Sequence, residues 1–226
     1  MHFIKDNKAF FALHTLLLLL GSYPLFVYNK VELALQLNSY HHPWADAFFA
    51  LVTHLGSSKA YILFLLTLVV LRQSNRILLL GGSSFVAMSL LVQSLKRIPI
   101  IEQLRPIKLI PADVAVHLVK GVVPQTIMSF PSGHAGTIFT AVCVIHFLIP
   151  KKPLWCTLVL LLVASIVAYS RVYLLHHFYR DVYVGALIGV WSTTAVYTLL
   201  KHWQGPAWLR QTPQTLWQTL KKKARE

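Results

Sequence analysis

The chain has 226 residues, of which 56% are hydrophobic and only 12% charged. A soluble domain carries roughly a quarter charged residues, so this composition excludes a disordered chain, a coiled coil and an ordinary soluble enzyme. The net charge is +14, from 21 Lys+Arg against 7 Asp+Glu; on a soluble protein that excess would suggest nucleic acid, but here the basic residues flank apolar runs, so membrane topology and an anionic ligand are expected and a nucleic-acid partner is not.

A bilayer span needs about 20 predominantly apolar residues. Six segments meet or approach that length, near residues 9–28, 45–71, 77–95, 133–149, 154–174 and 182–200. The first follows Lys5 and Lys8 but precedes no small-residue cleavage pattern, so it reads as a retained helix. Gly56-Ser57-Ser58 offers a break inside the second, separating a short helix from a true span. The third-to-fourth connection, 96–131, is the longest, and residues 112–120 are predicted to form a short amphipathic helix within it. The expected fold is all-α and polytopic, with six transmembrane helices in one membrane domain over residues 1–201. Residues 202–226, with Trp203, Trp208 and Trp217 among basic side chains, form a cytoplasmic or interfacial tail. Cys143 and Cys156 lie in apolar stretches and suggest neither a disulfide nor a metal cluster.

With both termini in the cytoplasm, a small majority of the Lys and Arg residues falls inside. In this topology three polar groups share the outer ends of the third to sixth spans. They are Lys96-Arg97 with Arg105-Pro106, Pro131-Ser132-Gly133-His134, and Ser170-Arg171 with His177 and Asp181. Ionisable groups at span ends are costly and call for a function. Lys96, Arg97, Arg105 and Arg171 repel one another unless an anion binds between them, and arginine's planar fork suits phosphate oxygens. Ser132 and Gly133 precede an apolar run, where free N–H groups at a helix start form an anion site. His177 and Asp181 are four apart and share a helical face. The carboxylate can hold one ring nitrogen as N–H and leave the other free as base or nucleophile. With His134 as a second imidazole, the set suits phosphoryl transfer through a phosphohistidine. The neighbouring cations argue against a metal ion, and no cofactor is expected.

Pro131-Ser132-Gly133-His134 and Ser170-Arg171, five residues, His177, three residues, Asp181 follow without deviation the second and third motifs of a known family. The chain resembles the type 2 phosphatidic acid phosphatase superfamily of membrane lipid phosphatases, which shares its helical core with acid phosphatases and vanadium haloperoxidases. The resemblance covers about residues 45–200. The first family motif, Lys, six residues, Arg-Pro, departs: Arg105-Pro106 is present, but the lysine position falls on Ile98. Lys96 is the preferred substitute and Arg97 the alternative. The resemblance implies a metal-independent phosphatase with His177 as nucleophile, oriented by Asp181, and His134 as general acid. Lys96, Arg105, Arg171, Ser132 and Gly133 would bind the phosphoryl group. It implies an inner-membrane enzyme with its site toward the periplasm or cell exterior. Undecaprenyl diphosphate is the first choice of substrate. Phosphatidylglycerophosphate, phosphatidic acid, lipid A 1-phosphate and phosphotransfer to another lipid are the alternatives.

A non-catalytic phosphate or lipid transporter is the rival from another class. It would place charges near the bilayer midplane and show repeats, and the sequence has neither feature. His41, His42 and His54 are candidates for an entrance, and Tyr169, Tyr173, Tyr179 and Tyr183 read as interfacial aromatics. Beyond the lipid phosphate and surrounding membrane lipids, no partner or oligomeric state is assigned.

Overall fold

The computed structural model describes residues 7–98, 103–149 and 151–223. Every regular element among them is helical. In chain order these are α1 (Lys8–Val27), α2 (Lys30–Ser39), α3 (Pro43–Val52), a 3₁₀ turn (Thr53–Gly56), α4 (Ser58–Val70), α5 (Asn75–Leu95), α6 (Pro106–Leu109), α7 (Gly133–Leu148), α8 (Leu154–Tyr173) and α9 (Tyr179–His202). A 3₁₀ turn (Ala207–Arg210) and α10 (Pro213–Lys223) complete the order.

Phe26 is 87% exposed, Val70 75% and Leu199 73%. Water would not tolerate so much exposed apolar surface, whereas lipid would. The chain is a multi-pass membrane protein. Helix length and apolarity do not by themselves confirm the count of six spans. Four helices, α1, α5, α8 and α9, are long and apolar enough to cross, and α3 with α4 makes a fifth only as a pair bent by 60°. The bend falls at the Gly56-Ser57-Ser58 break. Ser57 is extended (φ −79°, ψ 154°) and its hydroxyl oxygen accepts from Ala60 N–H, which starts α4 as a separate helix.

The remaining expected span, α7, has 16 residues. It is the centre of the bundle, packed mainly against α9, then α8 and α5, and every residue from Ala135 to Val144 is buried. A helix walled by protein on all sides need not match the full hydrocarbon thickness. The α7–α9 crossing is very close. A Cβ on Gly185 would stand 2.4 Å from Ser132 O, and one on Gly189 would stand 2.5 Å from Gly136 O. Gly185 and Gly189 form the small-xxx-small pattern that lets membrane helices approach.

The predicted helix over 112–120 is absent; this stretch is turn, bend and irregular chain. Asn38 of α2 accounts for the difference. Its Nδ2 donates to His117 O (2.9 Å) and its Oδ1 accepts from His117 N–H (2.8 Å). That side chain satisfies both backbone groups of His117, so an intrahelical partner is not needed. The tyrosines also do more than sit at an interface. Tyr179 donates to Gly21 O (2.9 Å) and Tyr183 to Leu18 O (3.2 Å), fastening α1 to α9.

Gly189→Ala is expected to force α7 and α9 apart at a cost of about 1–3 kcal/mol. Thermal unfolding in detergent should show a midpoint lower by several degrees. An unchanged midpoint would mean that the crossing is looser than described.

Candidate active site

α5 ends at Leu95, and the next residue, Lys96, turns back into the bundle with only 8% of its surface exposed. Its amine donates to Met128 O and to Ser129 O (3.4 Å). Arg97 is exposed and donates to Gln93 O (2.7 Å) and Gln93 Oε1 (3.1 Å) on its own helix. Between the two alternatives, only Lys96 reaches the interior. Arg105, 5% exposed, donates to Ile127 O (2.7 Å), His176 O (2.7 Å) and Met128 O (3.2 Å). These bonds fold the long loop back over the helix ends.

Arg171 lies in the last turn of α8 and donates to Thr53 Oγ1 (2.7 Å) on the 3₁₀ turn. Immediately afterwards α8 stops in a paired cap. His176 N–H donates to Arg171 O (2.9 Å) and Leu175 N–H to Val172 O (3.0 Å), with Leu175 in the left-handed region at φ 53°. Glycine usually fills such a position, and leucine there costs roughly 1–2 kcal/mol. Leu175 is 1% exposed, so burial of its side chain offsets that strain. The cap swings His177 back beside Arg171, where its N–H also donates to Arg171 O (3.1 Å).

Asp181, fully buried in the first turn of α9, ties the covering loop and the start of α7 to the site. Its Oδ2 accepts from Ser129 Oγ (2.5 Å) and Phe178 N–H (3.0 Å) and lies 3.5 Å from His177 Nδ1. Its backbone oxygen accepts from Ser132 N–H (2.9 Å), which fixes the start of α7. Ser132 Oγ then accepts from Ala135 N–H (3.4 Å) as the helix cap. First-turn N–H groups of a helix have no internal acceptor, and here Gly133 borders an open space.

That space is a cavity of about 240 Å³ walled by Lys96, Arg105, Gly133, His134, Arg171 and His177. The two remaining residues expected at the site, Ser132 and Asp181, lie just behind this wall as cap and carboxylate. His41, His42 and His54, expected as a possible entrance, are not part of its lining. Among the described residues no group of three or more His, Cys, Asp or Glu is placed to hold a metal ion.

Thr53 and Ser129 were not singled out by sequence reasoning, because a lone hydroxyl near a break or a proline carries no pattern. Gly56, expected as part of the break in the second segment, also packs against the site; a Cβ there would meet His134 O at 3.0 Å. A further polar cluster pins the loop from outside. Asp46 accepts from Tyr173 OH (2.5 Å) and meets His117 Nε2 at 2.9 Å, while His41 stacks on His117 at 3.9 Å.

Burial lowers the Lys96 amine to about 8, helped by Arg105 and opposed by Asp181. Burial lowers Arg105 to about 10. It lowers His177 to about 4, against the contact with Asp181, which pulls upward. His177 is therefore neutral and Lys96 mostly charged near neutrality. Protonation of His177 below about 4 and deprotonation of Lys96 above about 8 are each expected to lower the activity of the free enzyme, and loss of the proton that His134 must donate adds a separate alkaline limb. Lys96→Arg should move the Lys96 limb of kcat/KM upward, since guanidinium stays charged. An unmoved limb would assign it to another group. Ser129→Ala should destabilise the fold by roughly 1.5–3 kcal/mol, the usual worth of a buried hydrogen bond to a charged group, measurable by denaturant titration.

The sequence model of the PAP2 superfamily matches residues 78–204. Among solved structures, the crystal structure of Aquifex aeolicus LpxE superposes with a TM-score of 0.64 at 29% identity, covering 76% of this chain and 97% of that one. The first transmembrane PAP2 type phosphatidylglycerolphosphate phosphatase from Bacillus subtilis superposes with a TM-score of 0.54 at 22% identity, covering 86% and 98%. The second likeness, at that identity, shows the fold. A comparison with curated proteins finds no match. With the matched region running from α5 to the end of α9 and enclosing all three polar motifs, the chain belongs to the PAP2 superfamily and is a membrane lipid phosphatase.

Proposed function

We propose that the protein hydrolyses a lipid phosphate ester or diphosphate through a phosphohistidine on His177, without a metal ion. The observation that carries this reading is the shared cavity, in which two imidazoles face a space walled by three cations and a helix N-terminus. Asp181 Oδ2, 3.5 Å from Nδ1 of His177, favours the tautomer with N–H on Nδ1, which leaves the lone pair on Nε2. Nε2 attacks phosphorus as the bond to the lipid oxygen breaks, and His134 gives that oxygen a proton. Water then attacks the phosphohistidine, His134 takes its proton, and inorganic phosphate leaves. Lys96, Arg105, Arg171 and the N–H groups around Gly133 balance the charge on the non-bridging oxygens, with Ser132 shaping that turn.

Undecaprenyl diphosphate is the proposed substrate, delivered from the leaflet on the outer side of the inner membrane. The distribution of Lys and Arg supports that orientation by a small margin, with 12 of the 21 in segments on the side away from the cavity. The likeness to LpxE favours a second reading, in which the substrate is the one LpxE takes.

A panel of undecaprenyl diphosphate, phosphatidylglycerophosphate, phosphatidic acid and lipid A 1-phosphate, given to purified enzyme with chelator, tests both readings. Undecaprenyl diphosphate should show the highest kcat/KM. His177→Ala should lower kcat at least about 10³-fold and abolish an acid-labile phosphoenzyme, and His134→Ala should cost about 10²–10⁴-fold. Phosphate release by His177→Ala at the wild-type rate would remove the covalent mechanism.

A further inference from the structure

The cavity that holds the cations and imidazoles has a second kind of wall. It is lined as well by Ser58 at the start of α4, Ser89 and Gln93 of α5, Thr137 of α7 and Gln125 of the covering loop. Each of these side chains is uncharged and carries a hydrogen-bond donor, and the chemistry at His177 uses none of them. Among the described residues, no Asp or Glu lines the cavity.

Helix geometry explains the stripe. Ser89, Gln93 and Lys96 recur at steps of four and three residues, so they share one face of α5. At 1.5 Å per residue, Ser89 lies about 10 Å back along the helix from Lys96, deeper in the bilayer. Thr137, 4% exposed, follows His134 by one turn on the same side of α7. Ser58, Gln93 and Gln125 are exposed as well as lining the cavity, so the cavity meets the protein surface along the edge between α4 and α5.

Hydroxyls on the apolar helices commonly donate back to their own backbone: Thr67 to Leu63 O, Ser165 to Leu161 O and Thr194 to Val190 O. Thr137 and Ser89 differ, since among the described residues neither hydroxyl makes a hydrogen bond. A buried hydroxyl without a partner is costly, and a ligand oxygen removes that cost. Gln93 is oriented from outside. Its Oε1 accepts from Arg97 Nη1 (3.1 Å), which leaves its amide N–H groups to donate elsewhere.

We propose that this uncharged stripe is the subsite for the lipid-proximal phosphate of a diphosphate substrate. With the terminal phosphoryl group among Lys96, Arg105 and Arg171, the second phosphate accepts from Thr137, Ser89 and the amides of Gln93 and Gln125, and the lipid chain leaves between α4 and α5. The bond from the terminal phosphorus to the bridging oxygen breaks beside His134, one turn from Thr137, and that oxygen takes the proton of His134 and departs with the lipid phosphate. Donor chemistry selects the occupant. A sugar headgroup presents hydroxyl donors that need acceptors, whereas a phosphate only accepts and is drawn by the neighbouring cations. Neutral donors also hold the product without a fixed countercharge, which favours its release. The proposal rests on the phosphohistidine reading and adds to it a preference for diphosphate over monophosphate.

Phosphate release from undecaprenyl diphosphate and undecaprenyl monophosphate by the purified full chain, with chelator, tests the subsite through the ratio of the two kcat/KM values. Thr137→Val and Ser89→Ala should each lower that ratio about ten-fold, the usual worth of a hydrogen bond to a charged group, and Thr137→Ser should restore it. Ser89→Ala, on the rim of the cavity, decides the matter should Thr137→Val fail to fold. An unchanged ratio in the folded variants would overturn the subsite. So would a loss confined to lipid A 1-phosphate, which would assign the hydroxyls to a sugar. Turnover of monophosphates alone by the wild type, with a phosphoenzyme lost in His177→Ala, would overturn the subsite while leaving the histidine chemistry in place. Absence of that phosphoenzyme with every substrate would instead remove the reading on which the subsite rests.

Discussion

Three cations and one carboxylate are buried around a single cavity, and the rest of the molecule is arranged to tolerate that imbalance. Lys96, Arg105 and Arg171 are each under a tenth exposed, and Asp181 is the acid among them. Burying unpaired charge is costly, and like charges nearby raise the cost. The protein offsets it with carbonyl oxygens: those of Ile127, Met128, Ser129 and His176 accept from Lys96 and Arg105. Carbonyl dipoles soften the repulsion but leave the net charge in place. In the proposed reading a phosphoryl group would supply the missing negative charge.

The backbone devices that create this arrangement are all helix ends. α5 stops so that Lys96 can turn in, α8 stops in a left-handed cap that returns His177 toward Arg171, and α9 starts with Asp181 bonded to its own first turn. The carbonyl of Asp181 then holds the start of α7. One residue thus joins two helix N-termini, the nucleophile candidate and the covering loop. The bent α3–α4 pair adds a support that a straight span would not supply, because the bend carries Thr53 to Arg171 and Gly56 against His134.

Much of this was legible from residue types. Pro131-Ser132-Gly133-His134 and the Arg171–His177–Asp181 spacing pointed to one cavity end because polar groups at apolar run ends need a partner. The break at Gly56-Ser57-Ser58 was also visible, since serine and glycine interrupt an otherwise continuous apolar stretch. What escaped depends on contacts distant in sequence. Residues 112–120 have a helical pattern, yet Asn38, far away in the chain, takes both backbone groups of His117. Hydropathy reads α7 as one more lipid-facing span, whereas it is a 16-residue helix walled by protein, so its length alone does not confirm it as the sixth. Thr53 and Ser129 act through single hydroxyls whose partners emerge only when the helices are assembled.

The burial of α7 separates two kinds of apolar helix within one chain. α1 turns only 11% of its most apolar stretch toward protein, so nearly any oily side chain serves there and its sequence is free to drift among related proteins. α7 meets a neighbour at almost every position, where side-chain volume as well as polarity is dictated. Divergence should therefore be fast at the rim and slow at the hub. The extent of the superfamily match, which opens in α5 and leaves the first helices outside, has that shape.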